Sequence, residues 1–297
     1  ILRREAVDNL RLAQLLNEMA LLLLDRGDLE NAAAIFEESV AMKKRLVGDR
    51  EVSVSIALTN LGKVREMLGR YQEAEAAYRE SLRIKQALYG EGAEELAILE
   101  NNLAVLLTDL GQLEPERRGN LWQEAEELFR RSLEARLEGS PPDDPRIAKV
   151  HKNRALLLTF RGELEAAEPL LDEALAIFRS HYGDDDRAVA ETLRNRAVML
   201  HAAGRFEAAE SDAGRAAEIF NAAFGAEDWR TADAESIRGE CLLDLSRVEE
   251  AAAMLNKSLA IIEGEKGEQA RAAWEARRRL ERLRSIRAAT SDRPADG

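Results

Sequence analysis

Hydrophobic positions recur along this chain in one fixed frame. The frame is set by a short turn, clearest at Gly69-Arg70-Tyr71-Gln72-Glu73-Ala74-Glu75. Variants start at Gly27, Gly111, Gly162 and Gly204, and a degenerate copy starts at Ser246, with spacings of 42, 42, 51, 42 and 42. Five residues after each turn start, counting past extra residues in the third copy, stand Ala32, Ala74, Ala125, Ala167, Ala209 and Ala251. Seven residues before it stand Ala20, Gly62, Ala104, Ala155, Ala197 and Gly239. Two small columns facing each other require two helices to cross closely. Large apolar side chains follow four residues beyond the alanine (Phe36, Tyr78, Phe129, Leu171, Leu255) and four further on (Val40, Leu82, Leu133, Leu175, Leu259). Spacings of three and four are those of an amphipathic helix.

Each unit is therefore expected to be helix, short turn, helix, and the fold all-α. The six repeats span about 8–48, 51–90, 93–139, 145–183, 187–225 and 229–266 of one solenoid domain, 1–289. Glycines such as Gly69 suit the positive φ that ends a helix. Asp144-Pro145 predicts an N-cap followed by proline in the first turn, and Asp186 and Asp228 sit in comparable segments. The third unit carries nine extra residues between Leu113 and Trp122, expected to form a polar surface loop, with a partner-contacting element as the alternative. Residues 268–289 break the repeat and are expected to form a capping helix with apolar Trp274, Leu280, Leu283 and Ile286; 290–297 are expected to be a disordered tail. The second helix of the fifth unit carries Ala213, Gly214, Ala216 and Ala217, which predicts weaker coupling to its neighbours.

Composition narrows the function. The 297 residues are 45% hydrophobic and 33% charged, with a net charge of −13, which argues against nucleic acid as a partner. One cysteine, Cys241, excludes an intrachain disulfide framework and falls on an apolar helix position. No apolar run approaches the ~18–20 residues of a membrane span. No signal peptide is evident, and a cytoplasmic location is expected. The chain opens on Ile1, so it is expected to be a piece of a longer protein.

The columns of small residue, turn glycine, aromatic or leucine, alanine and aromatic resemble the tetratricopeptide repeat. Leu58-Thr59-Asn60-Leu61-Gly62, Glu100-Asn101-Asn102-Leu103-Ala104 and Glu73-Ala74-Glu75-Ala76-Ala77-Tyr78, with the period of 42, resemble its kinesin-light-chain type. The resemblance covers about residues 8–266. It implies a right-handed superhelix whose concave groove, lined by the first helices, binds proteins or peptides without chemistry. In kinesin light chains groove asparagines and basic residues grip peptides. The corresponding positions, ten before each turn, are Asn17, Thr59, Asn101, Lys152, Arg194 and Ser236, of which Asn17 and Asn101 carry the amide.

Helical spacing adds the positions thirteen and six before the turn to that face: Ile56 and Lys63 in the second unit, Lys149 and Leu156 in the fourth, Glu191 and Val198 in the fifth. Lys152 and Arg194 form a basic spot, either a solvated charged face or a site for acidic groups on a partner. Arg154, Arg196 and Arg238 stand eight before the turn, either in an ion-pair ladder with Glu168 and Glu210 as candidates or in a ligand-binding row. His201 is expected in core or surface, with the groove edge as the alternative. No metal-ligand spacing, phosphate loop or nucleophile arrangement is present, so neither enzyme activity nor a cofactor is expected. The expected function is non-catalytic binding of a protein or peptide, with Asn17, Thr59, Lys63, Asn101, Lys152 and Arg194 as groove contacts. The alternative is a regulatory or sensor module of a larger bacterial signalling protein carrying a kinase or nucleotide-binding switch, a reading that rests on the opening at Ile1 and on the Ala/Arg/Glu-rich, bacterial-looking composition.

Overall fold

The computed structural model describes residues 2–267 and 270–291, with side chains from 9 to 267 and from 270 to 289. Residues 292–297, within the expected tail, lie outside the described residues. The described residues form thirteen α-helices and no strand. They fall into two compact units, residues Ile1–Pro141 and Pro142–Gly297. The first unit holds α1 (Leu2–Asp25), α2 (Leu29–Val47), α3 (Val52–Met67), α4 (Tyr71–Tyr89), α5 (Glu94–Leu113) and α6 (Arg118–Leu137). The second holds α7 (Pro145–Phe160), α8 (Leu164–Tyr182), α9 (Arg187–Ala202), α10 (Phe206–Phe224), α11 (Trp229–Asp244), α12 (Val248–Lys266) and α13 (Arg271–Ser291). Odd helices up to α11 are the first helices of repeats, and even ones the second.

The paired small columns hold each helix pair together. All six alanines after the turn are completely buried. A Cβ added at Gly62 would stand 2.7 Å from the ring of Tyr78, and one at Gly239 would stand 2.9 Å from Leu255. The crossing is thus too close for any side chain at those two points. A further column, twelve after the turn, holds Ser39, Ser81, Ser132, Ala174, Ala216 and Ser258, all buried. Three of its hydroxyls donate to first-helix carbonyls: Ser39 to Ala13 (2.8 Å), Ser81 to Ser55 (2.8 Å) and Ser132 to Ala97 (2.7 Å). Buried hydroxyls must find such acceptors, and here they stitch the pair.

The caps follow the expectation. Asp144, Asp186 and Asp228 accept from the backbone N–H groups of Arg146, Ala188 and Arg230 at 2.7, 2.7 and 2.8 Å. Gly69 has φ 73° and closes the first helix as predicted. In the degenerate copy Ser246 takes the same role at φ 60°, and it is the one non-glycine with positive φ among the described residues.

Four expectations are corrected. Gly111 is not a turn residue but lies inside α5. Its missing Cβ makes room for Trp122, whose indole nitrogen would stand 2.1 Å from one and donates to the Thr108 carbonyl at 3.1 Å. The nine extra residues are not a surface loop. α5 runs four residues past the point equivalent to the end of α3, and α6 starts four residues before the equivalent of Tyr71, so a four-residue connector, 114–117, replaces the three of 68–70. Helical propensity continues through both flanks, so the insertion lengthens the pair. The last helix does not break the repeat: Arg271 lies 42 residues after Trp229 and Glu275 lies 42 after Asp233, so α13 keeps the phase of a seventh first helix. It lacks a second helix to cross, and the small column there becomes the exposed Glu281. Finally, the alanines of α10 do not leave it loosely held. Ala213, Ala216 and Ala217 are buried, and α10 lies as intimately against α11 as against α9. Small side chains shorten the approach and restore the burial that large ones supply elsewhere. Beside Ala217 a cavity of about 430 Å³ opens between α10, α11 and α12.

Ser246→Gly removes the left-handed strain of a side-chain-bearing residue and is expected to raise stability by about 1 kcal/mol in urea unfolding. Gly111→Ala is expected to cost about 2 kcal/mol or more, because Trp122 is anchored and must shift. Equal stability of the wild-type and Gly111→Ala proteins would refute the close approach.

Candidate functional site

The first-helix face follows from phase. Positions ten and thirteen before the turn fall where adjacent first helices meet, and the two units use them differently. In the second unit they close on each other. Lys152 of α7 pairs with Glu191 of α9. Arg194 of α9 grips Asp233 of α11 through Nε (2.8 Å) and Nη2 (2.6 Å). Each pair joins a base ten before one turn to an acid thirteen before the next. Where the ladder reaches Ser236, α13 supplies the base: Arg279 donates to the Ser236 hydroxyl (3.2 Å) and to Glu240 (2.8 Å). Glu275 of α13 lies between Arg271 (2.6 Å), Arg279 (3.4 Å) and Arg194 (3.8 Å).

Arg194, Arg271 and Arg279 balance Asp233, Glu240 and Glu275, so the buried cluster carries no net charge. Burial alone would raise the Glu275 carboxyl. The guanidinium groups of Arg271, Arg279 and Arg194 outweigh it and hold the pKa at about 2. Lys152 and Arg194, the expected basic spot, are thus buried and turned onto acids of the next helix. Their charge is spent within the chain because a base at this depth needs a partner.

In the first unit the same face stays open. Ile56 and Ile98, thirteen before their turns, are 48% and 59% exposed. Beside them lie amides and hydroxyls. Asn60 donates to Asn17 (3.5 Å), joining α3 to α1, and Asn101 donates to Asn102 (3.5 Å). The Thr59 hydroxyl reaches the Ser55 carbonyl (2.9 Å) and the Ser81 hydroxyl (2.8 Å). Lys63 is exposed and Asn101 is buried, while Asn17, Thr59, Asn60 and Asn102 are half-buried. The structure therefore brings Asn17 and Thr59 to one face with Lys63, sets Asn101 behind Asn102, and adds the two isoleucines. Their signal was present in sequence, as apolar residues where the later repeats have Glu191 and Asp233.

Other singled-out residues have structural partners. Arg196 pairs with Asp212 (2.6 Å) and Asp172 (2.9 Å), Arg238 pairs with Glu210 (2.6 Å), and Arg154 is likewise engaged. Glu168, half-buried on α8, pairs instead with Arg205 (2.5 Å). His201 meets Asp244 of α11 at 2.8 Å and packs on the ring of Phe206. Cys241 is buried, and burial pushes its thiol up to about 12, far from the reactive thiolate. No helix among the described residues is long and apolar enough to cross a membrane.

The sequence profile of the tetratricopeptide repeat matches residues 11–87, 53–138, 95–180, 146–222 and 188–264. The chain belongs to the tetratricopeptide-repeat family. Solved structures of similar fold include BtubC (BKLC) from P. vanneervenii, with TM-score 0.55 and 20% identity over 91% of this chain and 94% of that one. They also include nearly identical TPR-like repeats of a Podosopora anserina kinesin light chain, with TM-score 0.55 and 18% identity over 73% and 98%. A third is a Rap protein complexed with competence and sporulation factor, with TM-score 0.58 and 16% identity over 91% and 74%. No curated protein sequence matches the chain. These likenesses show an all-α helical-repeat fold, and the tetratricopeptide family is one whose scaffolds are typical of protein–protein interaction.

The Glu275 carboxylate of this tetratricopeptide array has a testable pH signature. Its folded pKa of about 2 lies below the 4.5 of the free side chain. Its stabilisation is therefore complete above pH 4.5 and is lost as the pH falls toward 2. The full gap corresponds to roughly 3 kcal/mol. Urea midpoints measured from pH 6 to pH 2.5 are expected to fall more steeply for the wild type than for Glu275→Gln. Parallel curves would show that the carboxylate is not held ionised.

Proposed function

We propose that this tetratricopeptide protein is a non-catalytic scaffold that captures an extended peptide segment of a partner on the face shared by α1, α3 and α5. One observation carries the reading. The positions that neighbouring first helices close into ion pairs within residues 142–297 are left unclosed in the first unit, where they present Ile56 and Ile98 beside side-chain amides. Exposed branched apolar side chains flanked by amides suit an extended strand: the isoleucines take its alternate side chains, and amides donate to and accept from its backbone. Asn17, Thr59, Asn60 and Asn102 supply those polar groups. Asn101 holds Asn102 in place. Lys63 adds a point charge for an acidic group on the peptide. Lys152 and Arg194 belong to the same ladder of positions and act here by fixing the spacing of α7, α9 and α11.

The scaffold reading also draws support from the family and from the kinesin-light-chain-like fold neighbours. A displayed library of random peptides, panned on the full chain, is expected to enrich sequences that alternate apolar residues and include acidic ones. Ile56→Glu with Ile98→Glu is expected to weaken the enriched peptides by about tenfold or more, as for central contact residues. Lys63→Glu is expected to weaken only those with acidic residues. Enriched peptides that bind the double variant as well as wild type would place the site elsewhere.

A further inference from the structure

One carboxylate within residues 142–297 lacks the partner that its repeat position takes elsewhere. Glu100 of α5 and Glu235 of α11 share a register, four residues before Ala104 and Gly239. Arg131 of α6 and Lys257 of α12 share one too, six residues after Ala125 and Ala251. In the third repeat the two meet: Arg131 Nη2 stands 2.5 Å from Glu100, which is completely buried. In the sixth they do not. Lys257 turns to Glu227 at 3.0 Å, an acid whose counterpart in the third repeat is Gly92.

Glu235 instead lines the cavity of about 430 Å³ between α10, α11 and α12. Its Oε2 is buried and accepts no hydrogen bond among the described residues. Arg238 Nη1 is 3.9 Å away, and that guanidinium donates to Glu210 at 2.6 Å. Burial raises the Glu235 carboxyl above its ordinary range, as it does for a carboxylate without a close cation. The other acids of the wall are already paired, Glu218 with Arg215 (3.0 Å) and Glu250 with Arg247 (2.7 Å). Ala217, Ala232, Met254 and Ile261 give the cavity an apolar side. A groove of similar volume, about 460 Å³, lies between α4 and α6, but there Leu82 stands in the place of Ala217 and Arg131 completes the carboxylate. The cavity volume falls among those of small-molecule sites, ~300–1,000 Å³.

We propose that the cavity between α10, α11 and α12 binds a small organic cation, an ammonium group on an alkyl body. The third repeat supplies the template for this occupant. The Arg131 side chain, an alkyl arm that ends in a cation, answers the equivalent carboxylate from within the chain. In the sixth repeat the arm comes from outside. Its ammonium donates to Glu235, and its alkyl body covers Ala217, Met254 and Ile261. A neutral ligand of the same shape leaves the carboxylate desolvated and unpaired, which is the costly outcome.

NMR titration of the full chain with n-hexylamine, followed on methyl signals and with n-hexanol as the neutral control, tests this. Hexylamine is expected to shift the signals of Ala217, Met254 and Ile261 saturably, with a Kd of roughly 0.1–1 mM for so small a ligand. Hexanol is expected to bind about tenfold more weakly. Glu235→Gln keeps the shape and removes the charge, and is expected to weaken hexylamine by about tenfold while leaving hexanol unchanged. Ala217→Leu fills the cavity with the residue found at Leu82 and Leu175, and is expected to abolish binding of both. Lys257→Arg with Glu227→Gly copies the third repeat and is expected to exclude hexylamine by returning an internal cation to Glu235. A wild type without saturable shifts would overturn the proposal. So would hexanol that binds as tightly as hexylamine, or a Glu235→Gln protein that binds hexylamine as tightly as wild type. Peptide capture by Ile56 and Ile98 uses other helices, so failure of either activity leaves the other measurable.

Discussion

Everything in this fold depends on how closely the two helices of a repeat approach each other. Gly62 leaves no room for a Cβ before the ring of Tyr78, and Gly239 leaves none before Leu255. Elsewhere two buried alanines meet. This contact is steric and short-ranged, so it fixes rotation and translation together. Once it is set, the serine hydroxyls after the turn reach the carbonyls of the first helix, and the remaining columns are assigned to a neighbour or to solvent. The peptide face proposed above draws on the columns that the crossing leaves over.

Those remaining columns are filled by two kinds of chemistry. In α1, α3 and α5 they hold isoleucines and amides. In α7, α9, α11 and α13 they hold alternating bases and acids. A buried ion pair adds little net stability over apolar packing, but breaking one partner off is costly. The ionic ladder is thus better suited to fixing which helix follows which than to adding strength. Arg194 can satisfy Asp233 only when α11 sits in register beside α9, and Glu275 finds three guanidinium groups only when α13 keeps the same phase.

Much of this was legible in the sequence, and what was not has a physical explanation. The helix pairs, the glycine turns and the aspartate caps follow from local rules that depend on residues within one or two turns of each other. The register of Asn17, Thr59 and Asn101 follows from the repeat. The fate of Lys152 and Arg194 does not, because whether a base faces solvent or an acid is decided by a side chain 39 residues away. The pairing was nevertheless written in the chain as a base ten before one turn and an acid thirteen before the next. The alanines of α10 misled for a related reason: side-chain volume reads as lost packing only if the backbone stays where it was. Gly111 misled because two uses of glycine, turning a chain and admitting an indole ring, look alike in sequence.

The lengthened third pair shows what kinds of change such an array tolerates. Four residues on each helix amount to 1.1 turns, a rise of ~6 Å with a rotation of only ~40°. The residues beyond the addition therefore keep their azimuth, and Trp122 still meets α5 on the side that faces its partner. Adding two residues to each helix would swing that side through more than half a circle and turn the indole to water. Length in this array is thus quantised: it can grow by matched helical turns on paired helices, and other increments are filtered out by the crossing itself. The 51-residue spacing is the 42-residue period with four residues added to each helix and one to the connector between them.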